Sequence, residues 1–469
     1  MSIFNHIREV YFLGIGGIGM SALARWFRHA GFQVSGYDRT ETSLTRELEA
    51  EGMAVHYQDL GRAVGDRLTV ASSLVIYTPA VPADMGERRY FEESGFAMKK
   101  RSEVLGMICR QFSTCAVAGT HGKTTVSTML AHLFKTSSLD CTAFLGGISK
   151  NYNSNLLLSS TSKWIVAEAD EFDRSFLRLF PDLAVITAMD ADHLDIYGDH
   201  EAVVKAFDDF AAQVRPGGAV VVRKGLPVDR ARNTTIAYYT YSLTEKADFY
   251  AGNLTLSGET YRFDLIHPKG RIENVCLNYP GRLNVENAIA ASSLALLAGI
   301  DPSSVTAGLS TYQGVKRRFD VRYRSENFIL IDDYAHHPEE LKATISSVRA
   351  IFPDKWITAV FQPHLYSRTK DFAGEFAAQL SEANEVVLLD IYPAREEPLP
   401  GVTSALIFDQ VNVNDKRLIR KTELTEVAGS LKPGIILMMG AGDIENLVEP
   451  VARILSDLDK GIQLDVRNI

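Results

Sequence analysis

The densest chemistry in the chain stands at Gly119, Thr120, His121, Gly122, Lys123, Thr124 and Thr125, directly after the apolar run 112–118. Val126, Met129, Leu130, Leu133 and Phe134 then recur at helical spacing, so the segment reads as strand, phosphate-binding loop and helix. In that setting Lys123 reaches the β- and γ-phosphates of ATP and Thr124 ligates Mg2+, while the remaining loop residues cradle the phosphates. The loop departs from the usual G-x-x-x-x-G-K-[ST], because Val117 stands at the first glycine position. A bare G-K-T is a weak signal, but its placement between a strand and a helix favours ATP over a structural turn.

A second glycine loop lies near the start. The apolar run 9–13 leads into Gly14, Gly16, Gly17, Ile18 and Gly19, a G-x-G-x-x-G. Leu23, Trp26, Phe27 and Ala30 follow at helical spacing, and a strand over 33–37 ends at Asp38. Strand, glycines, helix, strand and acid form a dinucleotide fingerprint, with Asp38 placed to accept from a ribose hydroxyl. NAD is the simplest ligand. The device recognises a diphosphate flanked by sugars, however, so a nucleotide-sugar diphosphate fits it equally.

Further acids and histidines stand where apolar runs stop. Glu168, Asp170, Glu171 and Asp173 follow 164–167, and Asp190, Asp192, His193 and Asp195 follow 183–187. Ligands of parallel sheets bind at the carboxyl ends of strands, so Glu168 and His193 are expected to converge on the phosphate loop as metal-binding groups. Four runs near the C-terminus end the same way. They lead into Asp332, Tyr334 and His336; into His364 and Arg368; into Asp390, Tyr392, Arg395 and Glu396; and into Gly440, Gly442 and Asp443. Four such clusters on one sheet imply a binding rim. His337 reads instead as a helix start, since Pro338, Glu339 and Glu340 suit a first helical turn.

These residues need elements to position them. At 469 residues the chain is long enough for about three domains. Strand-length apolar runs alternate with helical periods, the pattern of α/β layers on mainly parallel sheets. Boundaries fall near 99–109 and 311–318, giving domains 1–108, 109–315 and 316–469, with a smaller sheet of short strands expected over 216–280. A net charge of −9 weighs against nucleic acid as a partner. Cys109, Cys115, Cys141 and Cys276 show no C-x-x-C spacing and read as buried thiols of a reducing compartment. The longest uncharged apolar stretch, 288–300, is too short to span a membrane, and no export signal is legible, so the cytoplasm is expected.

In order from residue 14 to 443 run GIGGIGM, GTHGKTT, AEADEFD, ADHLD, GRLNVENA, RRFD, DDYAHHPEE, FQPHLYSRT and GAGD. With these motifs the chain resembles the Mur ligase family of bacterial cell-wall synthesis. The resemblance implies a Rossmann-like N-terminal domain, a P-loop ATPase-like central domain and a Rossmann-like C-terminal domain. It implies a UDP-sugar at Gly14–Gly19 and removes the need for NAD. A dehydrogenase would in any case leave GTHGKTT unexplained, and a simple ATP switch would leave the four strand-end clusters unexplained.

Residue by residue, the resemblance matches Thr124, Glu168 and His193 to the metal, and Asn284 and Asn287 to adenine. It matches Arg318 and Asp332 to ATP from the far domain, and Tyr334, His336, His364 and Arg368 to the amino-acid rim. Lys123, His193, His336 and Arg368 are the implied catalytic group. FQPHLYSRT favours the members that join L-alanine to the lactyl carboxylate of UDP-N-acetylmuramate through an acyl phosphate; members that attach a whole peptide are the alternative. The implied partners are those two substrates, ATP and Mg2+, with no membrane or nucleic acid and a monomeric or homodimeric protein. Leu365 stands where some relatives carry Arg, and DIYPARE departs from DVYAAGE. Phe207 occupies the place of a lysine that several members carbamylate, so no such modification is expected.

Overall fold

The structure, a computed structural model, describes residues 4–190, 194–394 and 396–461. Three sheets organise it. The first contains β1 (Glu9–Leu13), β2 (Gln33–Tyr37), β3 (Ala54–His56), β4 (Ser73–Tyr77) and β5 (Ala97–Lys100), in the order β3-β2-β1-β4-β5. All its pairings are parallel. Parallel strands are covered on both faces, and β1 shows why a continuous apolar run suits that place. Val10 and Phe12 enter one buried cluster, while Tyr11 and Leu13 enter another on the opposite face. The chain reverses its winding on either side of β1, which puts a crevice at the end of that strand, where the glycine loop begins.

The second sheet holds β6 (Ser113–Ala118), β7 (Thr142–Ser149), β8 (Ser154–Leu157), β9 (Trp164–Ala169), β10 (Leu183–Ile186), β11 (Ala219–Arg223), β12 (Ala237–Ser242), β13 (Phe249–Ser257), β14 (Thr260–His267) and β15 (Gly270–Leu277). Its order is β15-β14-β13-β12-β11-β10-β6-β9-β7-β8. The strands expected over 216–280 are present, but they extend this sheet instead of closing a separate one. β11 and β12 pair along their length with the rest of the sheet, and the slender join is to β13–β15: β12 and β13 pair in parallel through only Tyr241–Phe249 and Ser242–Tyr250.

The third sheet contains β16 (Asp320–Arg324), β17 (Phe328–Asp333), β18 (Ile357–Phe361), β19 (Glu385–Leu388), β20 (Asp415–Leu418) and β21 (Gly434–Met439), in the order β16-β17-β21-β18-β19-β20. Only β16 runs antiparallel. Alternation again sorts the faces. Ile329, Ile331, Ile435 and Leu437 enter one core, and Phe328, Leu330, Ile436 and Met438 enter the other. The four strands whose ends carried polar clusters are therefore neighbours, β17-β21-β18-β19. The three-domain α/β architecture is the one the sequence implied.

By contacts the chain forms two compact units, one of residues 1–255, 261–278 and 286–313, the other of 256–260, 279–285 and 314–469. Among the described residues no helix is long and apolar enough to cross a membrane. The four cysteines are free. Cys109, Cys115 and Cys141 are buried as expected, but Cys276 is only half-buried, on the sheet's edge strand β15.

Candidate functional site

The phosphate loop is built from the first unit. Gly122, at φ 83°, caps the helix Lys123–Lys135, whose first turn directs backbone N–H groups toward the loop. Gly119 has φ 140°, and a Cβ there would lie 2.1 Å from Thr187 Oγ1, so only glycine fits. Thr187 Oγ1 donates to the Ala118 carbonyl at 3.2 Å and also to the His121 carbonyl, tying the loop to the strand beside it. Thr120 Oγ1 donates to Asp190 at 3.2 Å, and His121 Nε2 lies 3.7 Å from the same carboxylate. Thr125 is buried and its carbonyl accepts from Tyr312 at 3.4 Å. Asn287 stands beside the loop, with Oδ1 3.0 Å from where a Gly122 Cβ would be.

Lys123 is the charged centre. Its Nζ donates to the Gly119 carbonyl at 2.7 Å and meets both carboxylate oxygens of Glu171, at 2.9 and 2.7 Å. Burial alone would lower the Lys123 pKa, but Glu171, Asp170 and Glu168 outweigh it and hold the ammonium charged. Glu171 is 1% exposed. Its acid was legible in AEADEFD, but its role as the partner of Lys123 was not, since only folding separates a buried carboxylate from its exposed neighbours.

Glu168, at the end of β9, accepts from Thr124 Oγ1 at 3.2 Å, from Ser127 Oγ at 3.3 Å and from the Gly146 N–H at 3.2 Å. A Cβ at Gly146 would fall 2.2 Å from the carboxylate, so that glycine makes room for it. Thr124 and Glu168 thus bring two hard oxygen donors together beside the phosphate loop, a set that suits Mg2+. The third expected ligand, His193, and its neighbour Asp192 lie outside the described residues. Phe207 is fully buried against Phe176 at 5.2 Å, where no modifiable side chain stands.

At the first glycine loop, Gly14 takes φ 87° and Gly17 caps the helix Ile18–His29. The helix has no acidic residue in its first turn, leaving its positive end open to an anion. Asp38 stands beside this loop and supports it. It accepts from the Gly16 N–H at 2.8 Å and the Thr40 N–H at 3.2 Å, so it braces the glycine loop itself. Arg101, which the sequence did not single out, lies against Gly19, with Nη1 3.0 Å from where a Cβ would be, and pairs with Asp170 at 3.3 Å.

The rim on the third sheet is assembled within the second unit. The rings of Tyr334 and His336 lie 5.2 Å apart, His336 and His364 5.8 Å, and His364 and Tyr392 5.8 Å in a stack. Arg318, expected with ATP, lies over the Tyr334 ring at 5.0 Å and 3.7 Å from Glu340, so it stands within this group. Asn284 is in the same unit, its Nδ2 donating to the Pro280 carbonyl. Asp332 is 2% exposed, and burial raises it to about 7 against the pull of Arg317 at 3.7 Å. His337 caps the helix Pro338–Ile351, as expected. Glu340 accepts from the N–H groups of both His336 and His337, at 2.9 and 3.2 Å. Leu365 is held at φ 71°, an uncommon conformation for a branched residue, with its N–H on the Tyr392 carbonyl. Glu396 fixes the next turn by accepting from the Ser367 N–H at 3.0 Å and from the Ser367 hydroxyl, which gives the divergent DIYPARE segment an anchoring role. Arg395 lies outside the described residues.

His336 is the rim's candidate base. Its Nδ1 is 2.9 Å from the Tyr334 carbonyl and 3.2 Å from Glu340. Burial pushes its pKa down to about 4; Glu340 opposes this, and the Arg368 charge adds to it. The folded value lies below that of free imidazole. The stability it brings is therefore complete above about pH 6.5 and is lost as pH falls toward 4. Asp332 and Asp333, both raised, act with the opposite sign as pH rises toward 6–7, so the parent alone shows a mixture. The difference between parent and His336→Asn isolates the ring. The parent's advantage in unfolding free energy should shrink by about 3 kcal/mol between pH 7.5 and pH 4. A difference that stays constant with pH would contradict the largely buried neutral ring.

Three family models match the chain: Mur ligase family, catalytic domain, over 9–113; Mur ligase middle domain, over 117–295; and Mur ligase, glutamate ligase domain, over 317–442. The chain is 50% identical to a UDP-N-acetylmuramate–L-alanine ligase of Parabacteroides distasonis over 96% of this chain and 98% of the relative. It is 49% identical to one of Porphyromonas gingivalis, over 96% of this chain and all of the relative. Among solved structures it resembles a UDP-N-acetylmuramate–alanine ligase of Thermotoga maritima, with TM-score 0.81, 27% identity, and coverage of 97% and 99%. A murein peptide ligase of Psychrobacter arcticus shares the fold, with TM-score 0.70, 21% identity, and coverage of 96% and 99%.

Proposed function

The chain belongs to the Mur ligase family, and from that premise we infer that it is an ATP-dependent amide ligase joining L-alanine to the lactyl carboxylate of UDP-N-acetylmuramate in peptidoglycan precursor synthesis. The observation that carries this reading is the similarity to L-alanine-adding ligases along nearly the whole length of both chains. We place the domain divisions at 108/109 and 315/316, and the enzyme in the cytoplasm, where ATP and a nucleotide-sugar are both at hand.

A carboxylate does not form an amide directly, because it is a poor electrophile with a poor leaving group. Transfer of the γ-phosphoryl group of ATP to a lactyl oxygen gives an acyl phosphate and ADP. The neutral amine of alanine then attacks the carbonyl carbon, and inorganic phosphate leaves. In this reading Lys123 and the N–H groups of loop 119–125 hold the charge that spreads over the moving phosphoryl group. Thr124, Glu168 and His193 are the residues that would hold Mg2+, which when bound neutralises phosphate charge. The nucleotide-sugar's diphosphate sits on the turn Gly14–Gly19 that Asp38 braces, beside Ile18. Asn284 and Asn287 serve adenine, and Arg318 and Asp332 serve the nucleotide from the third domain. Arg368 suits the α-carboxylate of alanine, since a guanidinium binds a carboxylate in two places at once. With Nδ1 of His336 directed to the Tyr334 carbonyl, Nε2 is the nitrogen left to accept the amine's proton, in a pocket completed by Tyr334 and His364.

Phosphate release from ATP tests the reading: it should require UDP-N-acetylmuramate and L-alanine together. NADH oxidation, or phosphate release indifferent to either substrate, would defeat it. The metal assignment has its own test. Glu168→Gln should raise the Mg2+ concentration for half-activity several-fold, whereas unchanged metal dependence at full activity would make Glu168 purely structural.

A further inference from the structure

The helix Ile18–His29, which carries the glycine loop, is gripped from the central sheet by one side chain. Asn155, on β8, is fully buried. Its Nδ2 donates to the Ile18 carbonyl at 2.6 Å and to Ser21 Oγ at 2.8 Å, and its Oδ1 accepts from Arg25 Nη1 at 2.6 Å. Arg25 continues the chain of contacts to Glu47 at 2.9 Å and Glu51 at 2.8 Å. Around this amide, Met20, Leu23 and Phe27 of the helix share one continuous buried cluster with Phe144 and Leu156 of the central sheet.

Other polar ties between the same two sheets are weaker. Lys100–Asp173 spans 3.1 Å and Arg101–Asp170 spans 3.3 Å, but all four side chains are 21–40% exposed, and exposed pairs contribute little. An apolar seam alone tolerates sliding, because its attraction has no direction. A buried amide is different: it is costly unless every partner is met, and here one register meets them all. The reaction needs such a register. The UDP-sugar is held on the first sheet and ATP on the second, and the lactyl oxygen must approach phosphorus to roughly 3–3.5 Å.

We propose that Asn155 is a positioning residue whose three hydrogen bonds lock the glycine loop against the phosphate-loop sheet, so that the carboxylate end of the bound UDP-sugar meets the γ-phosphate in register. This rests on the ligase function inferred above. A positioning role separates turnover from binding. Asn155→Ala should lower kcat at least ~10-fold, while the Kd values of UDP-N-acetylmuramate and of ADP, each measured alone, stay within about twofold of the parent. Asn155→Asp keeps the acceptor for Arg25, loses both donors, and should behave alike. A folded Asn155 variant with parent kcat would overturn the proposal, as would one whose two Kd values worsen in step with kcat, the mark of a general folding role. If neither variant folds, Ser21→Ala and Arg25→Met each remove one leg of the clamp, and parent kcat in both would overturn it. The parent enzyme is the control for the underlying reading: alanine-independent phosphate release by the parent defeats the ligase function itself, whereas normal parent ligation with an indifferent Asn155 defeats only the clamp.

Discussion

Lys123→Ala should turn over at least ~10²-fold more slowly than the parent while still binding UDP-N-acetylmuramate. The ammonium lies within hydrogen-bond reach of the Gly119 carbonyl and of Glu171, at the foot of the loop where phosphate charge would collect. Its contribution grows as charge moves onto the transferring phosphoryl group, so the loss belongs chiefly to kcat and less to the KM of ATP. UDP-sugar binding is the internal control, because the glycine loop sits on a different sheet. Turnover near the parent's in a folded Lys123→Ala protein would remove the phosphate-loop assignment.

The second large effect is on stability. Lys123 and Glu171 form a largely buried pair, and removing Glu171 takes away the ammonium's main partner, leaving it only the more distant Glu168 and Asp170 and the Gly119 carbonyl. Glu171→Ala should therefore cost about 3–5 kcal/mol of unfolding free energy. Replacing both members by apolar residues of similar volume, as in Lys123→Met with Glu171→Leu, should recover most of that loss without restoring activity. Chemical denaturation of the parent, Lys123→Met, Glu171→Leu and the double variant decides it. Additive losses in the double variant would mean that the two side chains are not an energetic pair. The comparison also separates the two roles of Lys123, since stability returns in the double variant and catalysis does not.

Much of the site was legible because strand ends are legible. Each apolar run that stops at a polar cluster became a parallel strand, and the four near the C-terminus proved to be neighbours in one sheet. His337 was separable from His336 on helix-capping grounds, and the structure agrees. What stayed hidden depends on contacts between distant segments. Asp38 has the sequence position of a ribose acceptor, and only the fold shows that its carboxylate also accepts from the loop's Gly16 N–H and from the Thr40 N–H. Glu168 and Glu171 are three residues apart in one acidic run, and only the fold sends one to Thr124 and the other to Lys123. The outer strands β13–β15 join the central sheet through two residue pairs between β12 and β13, too little for a local pattern to register. Asn155 sits in an unremarkable polar stretch before three leucines, and nothing local marks it as the partner of a helix more than a hundred residues away.

The choice of amine tests the central claim most directly. A pocket for L-alanine holds one methyl group. Valine is rejected by clash, and glycine only by the loss of methyl contact, worth about 1–3 kcal/mol or roughly 10–200-fold. The decisive measurement is kcat/KM with UDP-N-acetylmuramate and ATP for L-alanine, glycine, L-valine and a tripeptide beginning L-Ala-γ-D-Glu. The account predicts L-alanine first, glycine measurable but lower by roughly 10–200-fold, and valine and the tripeptide lower still. Preference for the tripeptide would contradict it, even with every phosphate-site prediction intact.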